Sequence, residues 1–595
     1  MIKTSSRPRV SSETLILLSP ALLLFAFAYV LPLLDMAVAS AHRGESLSAG
    51  NYSELLSSPT FGVIVWRTVH VAAVVSAICL ICGYPMAYAL ARLSGPALGV
   101  ALFLVTIPYL TSVLVRSYAW VVMLGSNGVL NRVLVALGVA DSPLKLVYND
   151  IGMYVGMIHI QLPLMILPLY AAFRQVDRRL PMAAQSLGSS PASAFFHTVL
   201  PLSAPGAAAG TILVFLSCIG FYVTPALLGG PGEYLIAQAI QVRVSLMADF
   251  GSASAQATLL LASVIGIAVL FRRPIANALG TEIDISKRVG TPENDVLGLR
   301  LLPSAADRLS RLLAKPLDRA GTLLSALRWP ILWGWLAVGL LFLIVPMLVV
   351  VPIAFSDAAY LTFPPPSYSL RWVRAYLGNQ QWIEATAFSI WISALSATFA
   401  LVIGGAAALA LMRTSFPGRD ALHLLFISPI IVPHMVIAVA LFFVLARLKL
   451  ANHPVSFLIA YTLLAIPFVL LIVSAGLKRF DRSLESASAT LGASPPVTLI
   501  KVTLPLLLPT LTIAFGFAFL AAFDDLVMAL FFSTPSATTL PMRMWDNLRE
   551  EVSPMIAVVA VLLLLTLIAA VSLSAFVRAK YFARRSFAVV PPALS

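Results

Sequence analysis

Charge is scarce in this 595-residue chain. Only 11% of its residues are Asp, Glu, Lys or Arg, against roughly a quarter in soluble proteins. Sixty percent are hydrophobic and the mean hydropathy is +0.94, which excludes a water-soluble globular protein and leaves an integral membrane protein. Cysteine is almost missing, at 3 residues, so no disulfide framework is available. Cys79 and Cys82 have CxxC spacing, but inside an apolar run with no second pair, and read as small residues for helix packing. No GxxxxGK[ST] occurs, so the phosphate-cradling loop of nucleotide hydrolysis is missing and no cofactor is expected on this chain. The formal charge of +14 is spread over separate loops without a basic stripe, which argues against nucleic acid as a partner.

What the chain does have is long apolar runs, continuous where barrel strands would alternate, and therefore helical. They lie near 14–40, 62–91, 97–124, 150–173, 205–229 and 252–271, then 330–355, 383–412, 421–446, 455–477, 507–533 and 553–577. Each suffices to cross a hydrocarbon core of about 30 Å as helix. The expected fold is all-α, with about twelve transmembrane helices. Six plus six leaves both halves in one orientation, as a parallel repeat embedded in membrane lipid. Placing the N-terminus inside puts most of the 39 basic residues in the cytoplasm, including Lys3, Arg7, Arg9, Arg578, Lys580, Arg584 and Arg585, as insertion favours. The apolar stretch after the basic leader exceeds a signal core of about 7–15 residues and reads as a retained anchor. Residues 272–329 mix both charge signs with four prolines and read as a cytoplasmic linker between a first half, 1–271, and a second, 330–595. Short helices are expected within it near 305–313 and 317–327.

The polar segment 177–205 recurs as 481–509, at a constant shift of 304 residues. Shared positions include Asp177/Asp481, Arg178/Arg482, Ala183/Ala487, Leu187/Leu491, Gly188/Gly492, Pro191/Pro495 and Pro205/Pro509. Lipid-facing sequence needs only to be apolar, so a repeat that survives in the hydrophilic part marks a docking surface. Small residues, then glycine, then Ser-Pro, predict a helix, a sharp turn and a second helix that fit closely into a partner.

At these residues the chain resembles the permease subunits of binding-protein-dependent ABC importers, whose cytoplasmic loop follows E-A-A-x-x-x-G and ends in Leu-Pro. The resemblance covers both halves and implies two type I importer permease halves fused end to end. It further implies that Ala183, Ala184, Gly188, Glu485, Ala487 and Gly492 dock two ATP-binding cassette subunits, which would carry ATP and Mg. Met182 and Ser486 stand at the family's glutamate position, with Glu485 one place earlier. The runs RSYAWVVMLGSNGVLNRVLVALG (116–138), YSLRWVRAYL (368–377), FPGR (416–419) and FDDLVMALFF with TLPMRMWDNLREEVSP (within 523–554) are similar to spermidine/putrescine-type permeases. That subfamily also serves thiamine, ferric iron and phosphonates.

Acids at membrane depth usually face a cavity or a partner. Asp524 and Asp525 lie about 22–24 Å along the helix counted from Pro509, and the positions 304 earlier are Gly220 and Phe221. Asp524 and Asp525 on one side and Phe221 and Tyr222 on the other would suit an amine cation, through charge and cation–π attraction. Neighbouring helix positions diverge by about 100°, so one Asp at most faces a pore and the other pairs structurally. Arg116 and His434 are buried too; the histidine reads as a hydrogen-bonding residue between helices, and Arg116 as snorkelling outward or pairing with an acid. The reading is an inner-membrane importer component fed by a periplasmic solute-binding protein, catalysing no covalent chemistry. Its rivals are a gradient-coupled carrier using Asp524 or Asp525, and a scaffold without transport.

Overall fold

The computed structural model describes residues 12–43, 46–271, 328–550, 553–566 and 568. The linker's expected short helices, the basic leader and the basic tail lie outside the described residues. Among those described, ten helices are long and apolar enough to cross a membrane, and the bent pair Arg419–Ile430 and His434–Arg447 would make eleven. The last expected span is described only in its first part, Met555–Thr566. Side chains directed outward are large and apolar, Leu23 and Trp66 among them at 70% exposure, as lipid requires and water would not tolerate.

Several helices are started by explicit caps. Ser58 accepts from the Phe61 N–H, Asn149 from Gly152, Asn379 from Gln381 and Asp249 from Ser252. Each satisfies a backbone donor that a helix start would leave without a partner. Within each half the fourth and fifth spans cross on a glycine, used in mirror fashion. A Cβ on Gly206 would lie 2.4 Å from the Ala172 Cβ, and one on Gly476 would lie 2.6 Å from Thr510 Cγ2. Shifting by 304 turns Ala172 into Gly476 and Gly206 into Thr510, so one crossing keeps its glycine on either partner.

Four expected spans prove to be discontinuous. The segment 97–124 is Gly95–Leu110 followed by Val113–Leu124, broken at Thr111 and Ser112. The segment 421–446 bends by 98° between Ile430 and His434. The long helices behind 205–229 and 507–533 stop at Ile219 and Phe523, and short helices Val223–Leu228 and Ala529–Phe532 follow. Those two long helices also begin earlier than expected, at Pro191 and Pro495. They run through matching π turns, Phe195–Val199 and Leu499–Thr503. Proline explains part of this: Pro108, Pro429 and Pro433 lack an N–H and disfavour helix before them. Hydropathy did not reveal the breaks, because the residues in them are themselves mostly apolar.

The first helix of each half lies against the other half. Ser12–Phe25 packs on Gln380–Arg413, and Leu31–Ser40 on His434–Arg447. Reciprocally, Arg328–Ala354 packs on Pro59–Leu90, Gly95–Leu110 and Val113–Leu124. Polar contacts fix both crossovers. Ser428 Oγ donates to Tyr29 Oη (2.9 Å), and Arg447 pairs with Asp35 (2.7 Å). In the other direction His159 Nε2 donates to Leu343 O (3.0 Å) and Trp335 Nε1 to Cys82 O (3.1 Å).

Candidate functional site

The four breaks meet in pairs across the interface between halves. In the C-terminal half, Asp524 follows the end of its long helix, and its Oδ2 accepts from the backbone N–H of Val113, the first residue of Val113–Leu124 (3.2 Å). That N–H belongs to a helix start, where a carboxylate is favoured by the unpaired donors and the helix dipole. Arg116, one turn further on, is 3% exposed, donates to Ile160 O (3.5 Å) and lies within the electrostatic reach of Asp524. The mirror contact is apolar. Gly220 lies so close to Pro433 that an added Cβ would sit 2.5 Å from the proline Cβ.

Asp525 faces another way. Its Oδ2 accepts from His434 Nδ1 (3.0 Å), its Oδ1 from the Met528 N–H (2.7 Å), and its backbone carbonyl from the Tyr461 hydroxyl (3.1 Å). The side chain is 3% exposed. Two adjacent acids therefore hold the breaks of both halves: Asp524 that of the N-terminal half, and Asp525 that of its own. Phe221 is half-buried, while Tyr222 is buried with its ring 5.5 Å from that of Trp545, from the opposite half.

Each copy of the repeat is a short exposed elbow. Arg179–Ser186 and Ser483–Thr490 carry no buried residue, and each is followed by a glycine in the left-handed region, Gly188 at φ 91° and Gly492 at φ 82°. Only glycine takes this conformation freely. Beside them Leu187 and Leu491 are 89% and 88% exposed. Asp177 and Asp481 each accept from a backbone N–H two residues on, at 2.9 Å. The Ser483 backbone N–H, helped by the Ser483 hydroxyl, holds the Asp481 carboxyl below the usual carboxylate range. Arg178 donates to Ala91 O (2.5 Å), and Arg482 to Met412 O (2.8 Å). Both tether an elbow to the end of its half's second span. Ala183 and Ala487 are exposed and Ala184 half-buried, whereas Glu485 turns inward to Arg413.

One family model, described as the inner membrane component of binding-protein-dependent transport systems, matches this chain twice, over residues 79–275 and 400–586. The chain belongs to that family. It is a multi-pass inner-membrane transport component, built from two permease repeats. The spermidine/putrescine transport system permease protein PotB of Haemophilus influenzae is 34% identical over 238 residues, 39% of this chain and 83% of the relative's length. The putrescine transport system permease protein PotI of Escherichia coli is 31% identical over 236 residues, 38% of this chain and 84% of its own. A solved bacterial alginate ABC transporter, in complex with an alginate pentasaccharide-bound periplasmic protein, aligns over 46% of this chain and 94% of its own at 18% identity, with a TM-score of 0.36.

In this permease the sequence located Asp524 and Asp525 and singled out Arg116 and His434, but did not say which acid each one meets. Val113 and Pro433 had no signal in composition. Leu187 and Leu491 did have one, since a leucine shared by two polar loops is unusual there, but only the structure shows them bare.

Proposed function

We propose that this permease is the fused membrane component of an ATP-driven importer, moving a small cationic solute of the polyamine class from periplasm to cytoplasm. The observation that carries the reading is the pair of matching elbows, each presenting a bare leucine beside a left-handed glycine within a family-model match. Two ATP-binding cassette subunits with ATP and Mg would receive them on the cytoplasmic side, with both termini cytoplasmic as the basic residues favour. A periplasmic solute-binding protein would deliver cargo at the other face. ATP and loaded binding protein act by preferring different states of the two halves, which shifts their population.

The polyamine assignment draws on the likeness to PotB and PotI and on the acids at the gate. Asp525 has the role of a brace in this reading, fully engaged with His434 and Met528. Asp524, whose Oδ2 accepts from the Val113 N–H, is the one an amine could compete for. Thiamine, ferric iron and phosphonate remain the alternative cargoes. A carboxylate–imidazole pair in a membrane also suits a proton-coupled carrier, which is the second reading. Vesicles containing the permease, its ATPase subunits and the binding protein, supplied with labelled spermidine, separate the two. Uptake that needs ATP and survives an uncoupler supports the importer; uptake that ignores ATP and collapses with an uncoupler overturns it.

A further inference from the structure

Corresponding arginines end the second span of each half and are used differently. Arg413 closes the helix Gln380–Arg413 and pairs with Glu485 Oε1 on the second elbow. The same oxygen accepts from Thr503 Oγ1, and Thr503 is fully buried at the end of the π turn Leu499–Thr503. One carboxylate thus joins the end of one span, an elbow and the foot of the next span. The side chains of Arg413 and Glu485 are 33% and 21% exposed, so the pair is less screened than an open surface pair of small worth.

Among the described residues the first half shows no such joint. The positions 304 before Glu485 and Thr503 are Pro181 and Val199, neither of which offers a side chain that can make this contact. Arg92 follows Ala91, the acceptor of Arg178, as Arg413 follows Met412, the acceptor of Arg482. Yet Arg92 lies over the rings of Tyr88 (4.5 Å) and Trp329 (4.6 Å) instead. The first elbow keeps its arginine tether to a backbone carbonyl, and the second has that tether plus an ionic strut.

We infer that Glu485 is a positioning residue that braces the second elbow against two membrane spans, so that the elbows pass on motion unequally and the second is the stiffer lever. A glutamate that served as a contact for the ATPase would turn its oxygens outward, whereas Oε1 here is committed inward to two donors. The inference rests on the ATP-driven reading above.

The test uses the full chain with its ATPase subunits in liposomes, with binding protein loaded with spermidine. Glu485→Ala and Arg413→Ala should each keep the ATPase subunits bound on purification, while stimulation of ATP turnover by loaded binding protein drops about fivefold or more, the lower range of allosteric coupling. The exchange Arg413→Glu with Glu485→Arg should recover part of that stimulation, which a merely disrupted elbow would not do. Release of the ATPase subunits by Glu485→Ala, without recovery in the exchange, would make Glu485 a direct contact and overturn the inference. Unchanged stimulation in both single variants would overturn it too. Failure of the unaltered chain to capture any ATP-hydrolysing subunit sinks the functional reading itself.

Discussion

Asp524 reaches from the C-terminal half to the Val113 N–H of the N-terminal half, 3.2 Å away, while its sequence neighbour Asp525 stays within its own half, on His434. Adjacent residues thus divide into a contact that must break when the halves separate and one that can travel intact. The counterpart of the breakable contact, Gly220 on Pro433, is held by packing alone. The contact between halves is therefore polar on one side and apolar on the other.

Asp524 and the buried Arg116 should be coupled energetically. Asp524→Asn keeps an oxygen for Val113 but removes the charge that compensates Arg116, so it should destabilise the protein alone. Arg116→Gln should partly undo the loss. A double-mutant cycle on thermal unfolding in detergent is expected to give a coupling of about 0.5–3 kcal/mol. Strict additivity of the two changes would show that the charges do not act on each other.

For the brace, the cost should depend on which partner is removed. His434→Ala takes a donor from a carboxylate that is 3% exposed, a loss of about 1.5–3 kcal/mol for a hydrogen bond to a charged group, whereas the His434 side chain is 46% exposed and can turn to water. Asp525→Asn still accepts from Met528 and leaves only a half-exposed ring behind. Unfolding should therefore rank His434→Ala well below Asp525→Asn, and the reverse order would refute the brace.

Gly220→Ala places a methyl where the backbone already touches Pro433. Overpacking of this kind costs about 1–3 kcal/mol, and it acts on the contact between halves. On the ATP-driven reading, basal ATP turnover with the partner subunits should rise, because the arrangement with Gly220 packed on Pro433 is the one penalised. Turnover and thermal stability equal to those of the unaltered chain would mean that the contact yields freely.

The helices were legible because an apolar run of about twenty residues in lipid has few other choices. Their breaks were not, since Thr111, Ser112, Gly220 and Pro433 interrupt backbone geometry but are too few to end an apolar run. Nor was the crossover of first helices, which depends on three-dimensional partners such as Tyr29 with Ser428. At the site, Asp524 and Asp525 stood out by the rarity of acids in such surroundings. Which of them bridges the halves is decided by a rotation of about 100° between neighbours, and no residue type records that. Arg178 and Arg482 were visible as a repeated pair, but their acceptors are carbonyls, and backbone atoms leave no trace in sequence.

The elbows give the most direct test of partner docking. Leu187 and Leu491 contribute almost nothing to the isolated chain, being 89% and 88% exposed, so Leu187→Asp and Leu491→Asp should leave thermal stability within about 0.5 kcal/mol. If each leucine is buried on an ATPase subunit, its loss removes about 1.5–3 kcal/mol of transfer energy, which weakens capture by roughly tenfold or more. Gly188→Ala and Gly492→Ala act differently. No atom lies within 4 Å of the added Cβ at either site, so only the left-handed backbone is penalised, by about 1–2 kcal/mol, and Asn should be tolerated better than Ala. Leucine variants should thus lose the partner with the fold intact, and glycine variants should lose the shape of the elbow first. Undiminished capture by the doubly substituted Leu187→Asp, Leu491→Asp chain would mean that these leucines face lipid or solvent in the working assembly, and that the motor engages the permease elsewhere.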